Sequence, residues 1–434
     1  MLRKRIQLGL IHVAVAMTLV PINSTLNRVM IAEFAISATL VAILASLPYL
    51  FSPIQVAIGS FADKHPIWGR RRTPYIVLGL VLCVTGVSLS PQVAFTLVDN
   101  WWMGIGIGVL AFGAWGMGYN FAAVSYLSLA SEISGEKGRG KTIAVMFFLM
   151  ITGIILTALT LSHLLDPYTP EALVRAFWAI GLAALTLGLV GLIKLEDRSE
   201  PGDAPASDAH SWTVLARSVF GNRQASLFFW YLIILLAAIL GQDILLEPFA
   251  AQAFAMPVRT TTRITAIWGV CMLVALSLAG ILEGRIEKRS VARIGGWGAF
   301  FGFSLIAISG AVNSTGVFYA GVVLLGAGTG LATVSNLSLM LDMTTAGNVG
   351  LFIGVWGMAN AASRLIGSVM GGAVRDLGSR MTHSPEAGYI VVFTIEALML
   401  LISLYMLSRI DVSAFRKDAE KVGLVERAAL ANEA

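Results

Sequence analysis

The chain has 434 residues, of which 57% are hydrophobic and only 13% charged, with a mean hydropathy of +0.80 and a formal net charge of +5. Ordinary soluble domains carry about 25% charged residues, so the composition excludes a water-soluble core and indicates a polytopic, all-α membrane protein. Its loops are too short for a separate catalytic domain, and neither an enzyme nor a nucleic-acid binder is expected.

A spanning helix needs about 20 apolar residues. Twelve stretches qualify, at roughly 8–30, 37–62, 74–94, 101–130, 142–165, 174–194, 223–247, 262–282, 291–312, 316–341, 347–372 and 388–408. The first follows Arg3, Lys4 and Arg5, yet it is longer than a signal-peptide core and shows no small-residue cleavage site, so it is read as a helix that stays. Placing the N-terminus in the cytoplasm puts 23 of the 30 Lys and Arg on that side. The positive-inside rule then sets both termini in the cytoplasm, with an even number of spans.

The first helix carries His12, Asn23 and Asn27, which fall within about 60° of one another at 100° per residue. It ends in the charged segment Arg28 to Glu33. The second ends at Gly59 and Asp63, followed by Lys64, Gly69, Arg70, Arg71 and Arg72. Asp63 is expected to cap a helix end or to pair across the interface between two halves. Asn120 is a further intramembrane donor.

Between the fourth and fifth spans, Gly135–Thr142 satisfies the phosphate-loop pattern G-x4-G-K-T. That loop works only between a strand and a helix N-terminus, and here it joins two membrane helices, so a basic loop is the reading. Cys83 and Cys271 each lie in an apolar helix and act as small hydrophobes.

Residues 196–208 form a Pro-, Gly- and Ser-rich polar stretch, the centre of an expected cytoplasmic linker at 196–222 between bundles 1–195 and 223–410, with a charged tail at 411–434. The features repeat on either side of it. Gly59 to Asp63 with its arginines closes the second span, and Gly280 to Arg285 with Lys288 and Arg289 closes the eighth. Two six-helix repeats are the economical explanation. Gly104/Gly108, Gly326/Gly330 and Gly367/Gly371 are small-xxx-small pairs suited to close helix packing.

The seventh span contains Gln242, Asp243 and Glu247, the two acids at i, i+4. Carboxylates so close repel, so one holds a proton or an arginine bridges them. Arg28 and Arg364 are the candidates, and Trp356, Asn360 and Arg364 share one face of the eleventh span. Arg28, Glu33, Asp243, Glu247 and Arg364 are therefore expected to converge in the outer half of a cavity, as a static clasp or as a gate. His12, Asn23, Asn27, Asn120 and Gln242 are the available intramembrane nitrogen and oxygen donors for a metal. No Cys/His cluster has metal-site spacing.

Four segments carry a resemblance: Leu26–Glu33; Asp63–Pro66 with Gly69–Tyr75; Gln242–Phe249; and Gly354–Asn360. Across essentially all spans the chain resembles the bacteriochlorophyll delivery (PucC/LhaA-type) branch of the major facilitator superfamily. The resemblance implies the major facilitator fold and a role in light-harvesting antenna assembly. It also implies bacteriochlorophyll or chlorophyll as non-covalent cargo, with antenna polypeptides, pigment-synthesis enzymes and membrane lipid as partners. Gly284 stands where the general facilitator pattern has a second-half Asp, which leaves room for an assembly factor that completes no transport cycle. The alternatives are a proton- or cation-coupled symporter of a sugar-like solute, using Glu33, Asp243 and Glu247, and a chaperone that holds no pigment.

Overall fold

In a bilayer core every backbone N–H and C=O must find a partner within the protein, and a long apolar sequence achieves this as helix. The computed structural model describes residues 1–198, 220–281, 285–343 and 349–415. Apart from isolated bridge residues, Ile67 with Arg70 and Ile286, the regular elements among them are helical. In order these are α1 Leu2–Val20, α2 Ala38–Ala45, α3 Leu47–Leu50, α4 Ile54–Lys64, α5 Thr73–Asp99, α6 Trp101–Gly135, α7 Gly138–Leu164 and α8 Pro170–Leu192, then α9 Arg223–Gly241, α10 Leu246–Phe254, α11 Val258–Ile281, α12 Lys288–Ala311, α13 Thr315–Asp342, α14 Val349–Thr382 and α15 Pro385–Arg409. Among the described residues ten stretches are long and apolar enough to cross a membrane, α1 being continued by further turns to Glu33. Most of the expected linker, Gly284 and most of the C-terminal tail lie outside the described residues.

Two expectations about the helices are corrected. The stretch 37–62 is not one rod but α2, α3 and α4, with Pro48 and Pro53 at the joints. Proline lacks an N–H and crowds the preceding turn. Asn120 of α6 repairs the first break: its amide donates to the Pro48 carbonyl at 2.9 Å and to Gly116 at 2.7 Å, while its oxygen accepts from Gln55 at 2.5 Å. The second correction concerns α1, which continues as two π-helical segments, Pro21–Leu26 and Val29–Glu33. A π turn inserts an extra residue and rotates the next stretch of helix by about 100°, so His12 and Asn27 no longer share a face.

Glycines bring the helices together. A Cβ on Gly79 of α5 would come within 2.5 Å of the Ala122 nitrogen and 2.7 Å of the Gly118 carbonyl of α6. On Gly295 of α12 it would meet Ala332 at 2.7 Å and Gly328 at 2.9 Å on α13. The two crossings are built alike at corresponding positions of the two halves, as a repeated fold requires. Gly326 and Gly330 also lie against the α11 backbone, and Gly367 against that of α9. Beyond α15 the Asp411 carboxylate accepts from Ser413 and Ala414, and these bonds hold it below the usual carboxylate range.

Candidate functional site

The face carrying residue 1 and the arginine-rich loop is the basic face of the bundle. There Arg72, at 4% exposure, forms an ion pair with Asp63 at 2.6 Å and donates to Glu132 at 2.8 Å. The Glu196 carboxylate accepts the backbone N–H groups of Arg71, Arg72 and Thr73 at 2.8, 2.9 and 2.6 Å, so it caps the start of α5. Anions are stable there because a helix N-terminus offers unpaired N–H groups. Gly69 turns the loop at φ +72°, and Arg70 lies beside it, half-buried. The expected pairing of Asp63 across the halves is replaced by one within its own half, because Arg72 at the next helix start is nearer. In the second half Lys288 pairs with Asp342 at 2.8 Å, between the helices that correspond to those of Arg72 and Glu132. Gly280 faces open space and Arg285 is exposed.

In the interior, the five charges predicted to converge divide into separate groups. Arg28 pairs with Glu33 and donates to the Met256 carbonyl at 3.2 Å, and Glu33 itself is exposed. Asp243 pairs with Arg364 at 3.3 Å. Arg364 also donates to the Tyr49 hydroxyl at 3.3 Å and lies 5.3 Å from that ring's centre. Glu247 accepts from Ser24 at 2.5 Å and Thr265 at 2.6 Å. Asp243 and Glu247 were expected on one continuous helix, but the 3-10 turn Gln242–Ile244 breaks it, sending them to different partners. Among the described residues no arginine bridges the two acids.

Asp243 and Arg364 lie deep among protein atoms yet keep 25% and 30% of their side chains accessible. Both side chains are thus only partly covered, although they lie among the interior contacts of their helices. Asn360, one turn from Arg364, is exposed; Asn23, Tyr49 and Tyr119 are half-buried. Trp356 instead packs edge-on against Phe228 of α9 at 4.9 Å.

Among the expected metal donors, Asn120 is fully engaged in the α3 joint and is withdrawn. Asn27 is buried and donates to the Asn23 carbonyl at 3.1 Å; Gln242 donates to Asp243 at 2.9 Å. The amide oxygens of Asn27 and Gln242 are, like Nδ1 of His12, buried without a hydrogen-bond partner. The His12 ring lies between Tyr126 of α6, 5.1 Å away, and Phe147 of α7, 5.3 Å away and edge-on.

At the opposite face sits a polar cluster that the sequence pattern did not point to. Asp376 of α14 accepts from Ser37 Oγ at 2.7 Å, Ala38 N at 3.1 Å, Thr39 N at 2.9 Å and Thr39 Oγ1 at 2.7 Å, capping α2 from the other half of the chain. Arg375 pairs with Asp376, donates to Gln252 and lies over Tyr389. The adjacent Arg375 and Asp376, just beyond the expected eleventh span, were the available signal. The partners of α2 could not be read from spacing.

The fold is that of the major facilitator transporters. The chain superposes on the nucleoside transporter NupG with a TM-score of 0.71 at 12% identity, covering 93% of this chain and 98% of that one. It is 30% identical to Protein PucC of Cereibacter sphaeroides, over 94% of this chain and 91% of the relative. To the Bacteriochlorophyll synthase 44.5 kDa chain of Rhodobacter capsulatus it is 27% identical, over 92% and 93%. The sequence profile described as PUCC protein matches residues 25–415, and the chain belongs to that family.

Proposed function

We propose that this protein binds a bacteriochlorophyll or chlorophyll within the inner or intracytoplasmic photosynthetic membrane and delivers it to light-harvesting antenna polypeptides as they assemble. The basic face lies in the cytoplasm, following the distribution of Lys and Arg. Membership of the PUCC family and the similarity to a chain named for bacteriochlorophyll synthesis support the pigment.

Among the residues themselves, His12 carries the reading. A buried intramembrane imidazole with an unpartnered nitrogen is a donor that a chlorophyll magnesium takes. Burial of the apolar ring and tail supplies most of the affinity, at about 25 cal/mol per Å². Antenna polypeptides and pigment-synthesis enzymes are the partners of this reading, and the chain itself catalyses nothing.

The test is absorption spectroscopy of the protein purified in mild detergent from a pigment-producing host, with co-purifying polypeptides identified. Bound pigment that is lost in His12→Ala, at an unchanged thermal midpoint, supports delivery through this site. A colourless protein that still retains antenna polypeptides overturns it in favour of a pigment-free chaperone.

A further inference from the structure

Glu396 lies midway along α15 in the apolar run from Tyr389 to Leu400, at 1% exposure, and neither carboxyl oxygen has a hydrogen-bond partner. The carboxyl is wedged where α9 and α14 meet. A Cβ on Gly241 would stand 2.9 Å from Glu396 Oε1 and 3.0 Å from the Gly367 carbonyl. An ionised carboxylate loses its hydration there and receives nothing in exchange, whereas the neutral acid forfeits far less.

The charged groups around it are few. Asp243, on the turn after α9, is within electrostatic reach and is paired to Arg364 of α14. Glu247 of α10 is held by the hydroxyls of Ser24 and Thr265. Arg375 and Asp376 of α14 sit further along, against Tyr389. On the α12 side Phe303 stacks on Phe393, and Arg289 bonds the Leu407 carbonyl near the far end of α15. Asp243 therefore has Arg364 as its ion-pair partner and the Glu396 carboxyl within electrostatic reach. With both acids ionised, the trio carries a net negative charge in the membrane interior; with one proton it is neutral, which is the affordable state.

We propose that Glu396 carries a proton and, with Asp243 and Arg364, forms a one-proton site that links protonation to the Arg364 ion pair. When Arg364 leaves Asp243, the trio's remaining carboxylate loses its counter-charge. A solvent proton then bonds to Asp243 Oδ2, whose side chain is partly accessible; when the pair re-forms, that proton departs. No electron transfer is involved. The inference does not depend on pigment binding.

Infrared difference spectra of the full chain in lipid nanodiscs at neutral pH test it, each variant being read against the unsubstituted protein so that other acids cancel. Glu396→Gln, isosteric with the neutral acid, should lose one carboxylic-acid C=O band and keep its thermal midpoint. Arg364→Gln should gain one such band. Full retention of carboxylic-acid absorption in Glu396→Gln, or no gain in Arg364→Gln, overturns the proposal. Should Glu396→Gln fail to accumulate, the Arg364→Gln comparison decides alone.

Discussion

The two faces of the bundle are held by different kinds of bond. At the opposite face polar contacts run between the halves of the chain: Asp376 onto the start of α2, Arg28 onto Met256, Ser162 onto Arg259 and Arg263, and Arg259 onto Asp166. At the basic face the ion pairs and caps seen among the described residues lie within a half: Arg72 with Asp63 and Glu132, Glu196 on α5, Lys288 with Asp342. Bonds of the second kind stiffen each half as a unit. Those of the first kind close one face and must break if the halves are to rock against each other. The conformation described is thus one sealed at the opposite face, with the Arg364–Asp243 pair lying inside the seal.

The clasp gives the largest expected effect. Asp376→Ala removes four acceptor contacts from α2 and leaves its first N–H groups uncapped, at a cost of about 3 kcal/mol. Because those contacts cross between the halves, the opposite face should also loosen. A cysteine replacing Ser37 should react faster with a membrane-impermeant thiol reagent in the Asp376→Ala background. Unchanged reactivity would show that Asp376 does not hold the halves together.

Arg72→Ala should cost about 3 kcal/mol as well, since it strands Asp63 and Glu132 without their buried cation, but its consequence differs in kind. Thermal stability falls while the reactivity of the Ser37→Cys probe stays as it was, because no bond of Arg72 leaves its own half. A rise in that probe's reactivity would erase the contrast between the faces. A milder version is Glu196→Gln, which keeps one acceptor oxygen and gives up the charge at the start of α5, for about 1 kcal/mol.

Much of this was legible in the sequence. Apolar runs gave the spans, and the charges at Arg28, Asp243 and Arg364 marked an interior that had to be polar somewhere. What the sequence hid were breaks in register. The π-helical turns after Val20 and the 3-10 turn at Gln242 each rotate the residues beyond them, so charges that share a face on an ideal helix reach different partners. Pro48 and Pro53 were visible warnings that 37–62 would not be one rod. Glu396 was visible too, a lone acid in an apolar span, and its neighbours from α9 and α14 became known only once those helices were packed. The Glu196 cap joins residues more than 120 positions apart, which no local pattern encodes.

The smallest expected effect belongs to Lys141→Ala, in the segment that matches a phosphate loop. The glycine at its head, Gly135, turns at φ +61° directly between α6 and α7, with no strand before it. The hydroxyl of Thr142, which in a nucleotide site would be free to hold magnesium, accepts from Arg5 at 3.1 Å and Ser134 at 2.7 Å and donates to the Gly138 carbonyl at 3.2 Å. Lys141 itself is exposed. Its removal should therefore alter stability by less than about 0.5 kcal/mol and leave antenna absorbance per unit of inserted protein nearly constant. Asp243→Ala, which leaves Arg364 in the interior without its acid, should lower that absorbance at equal accumulation. A large loss from Lys141→Ala with none from Asp243→Ala would invert the ranking and move the working site from the sealed interior to the basic loop.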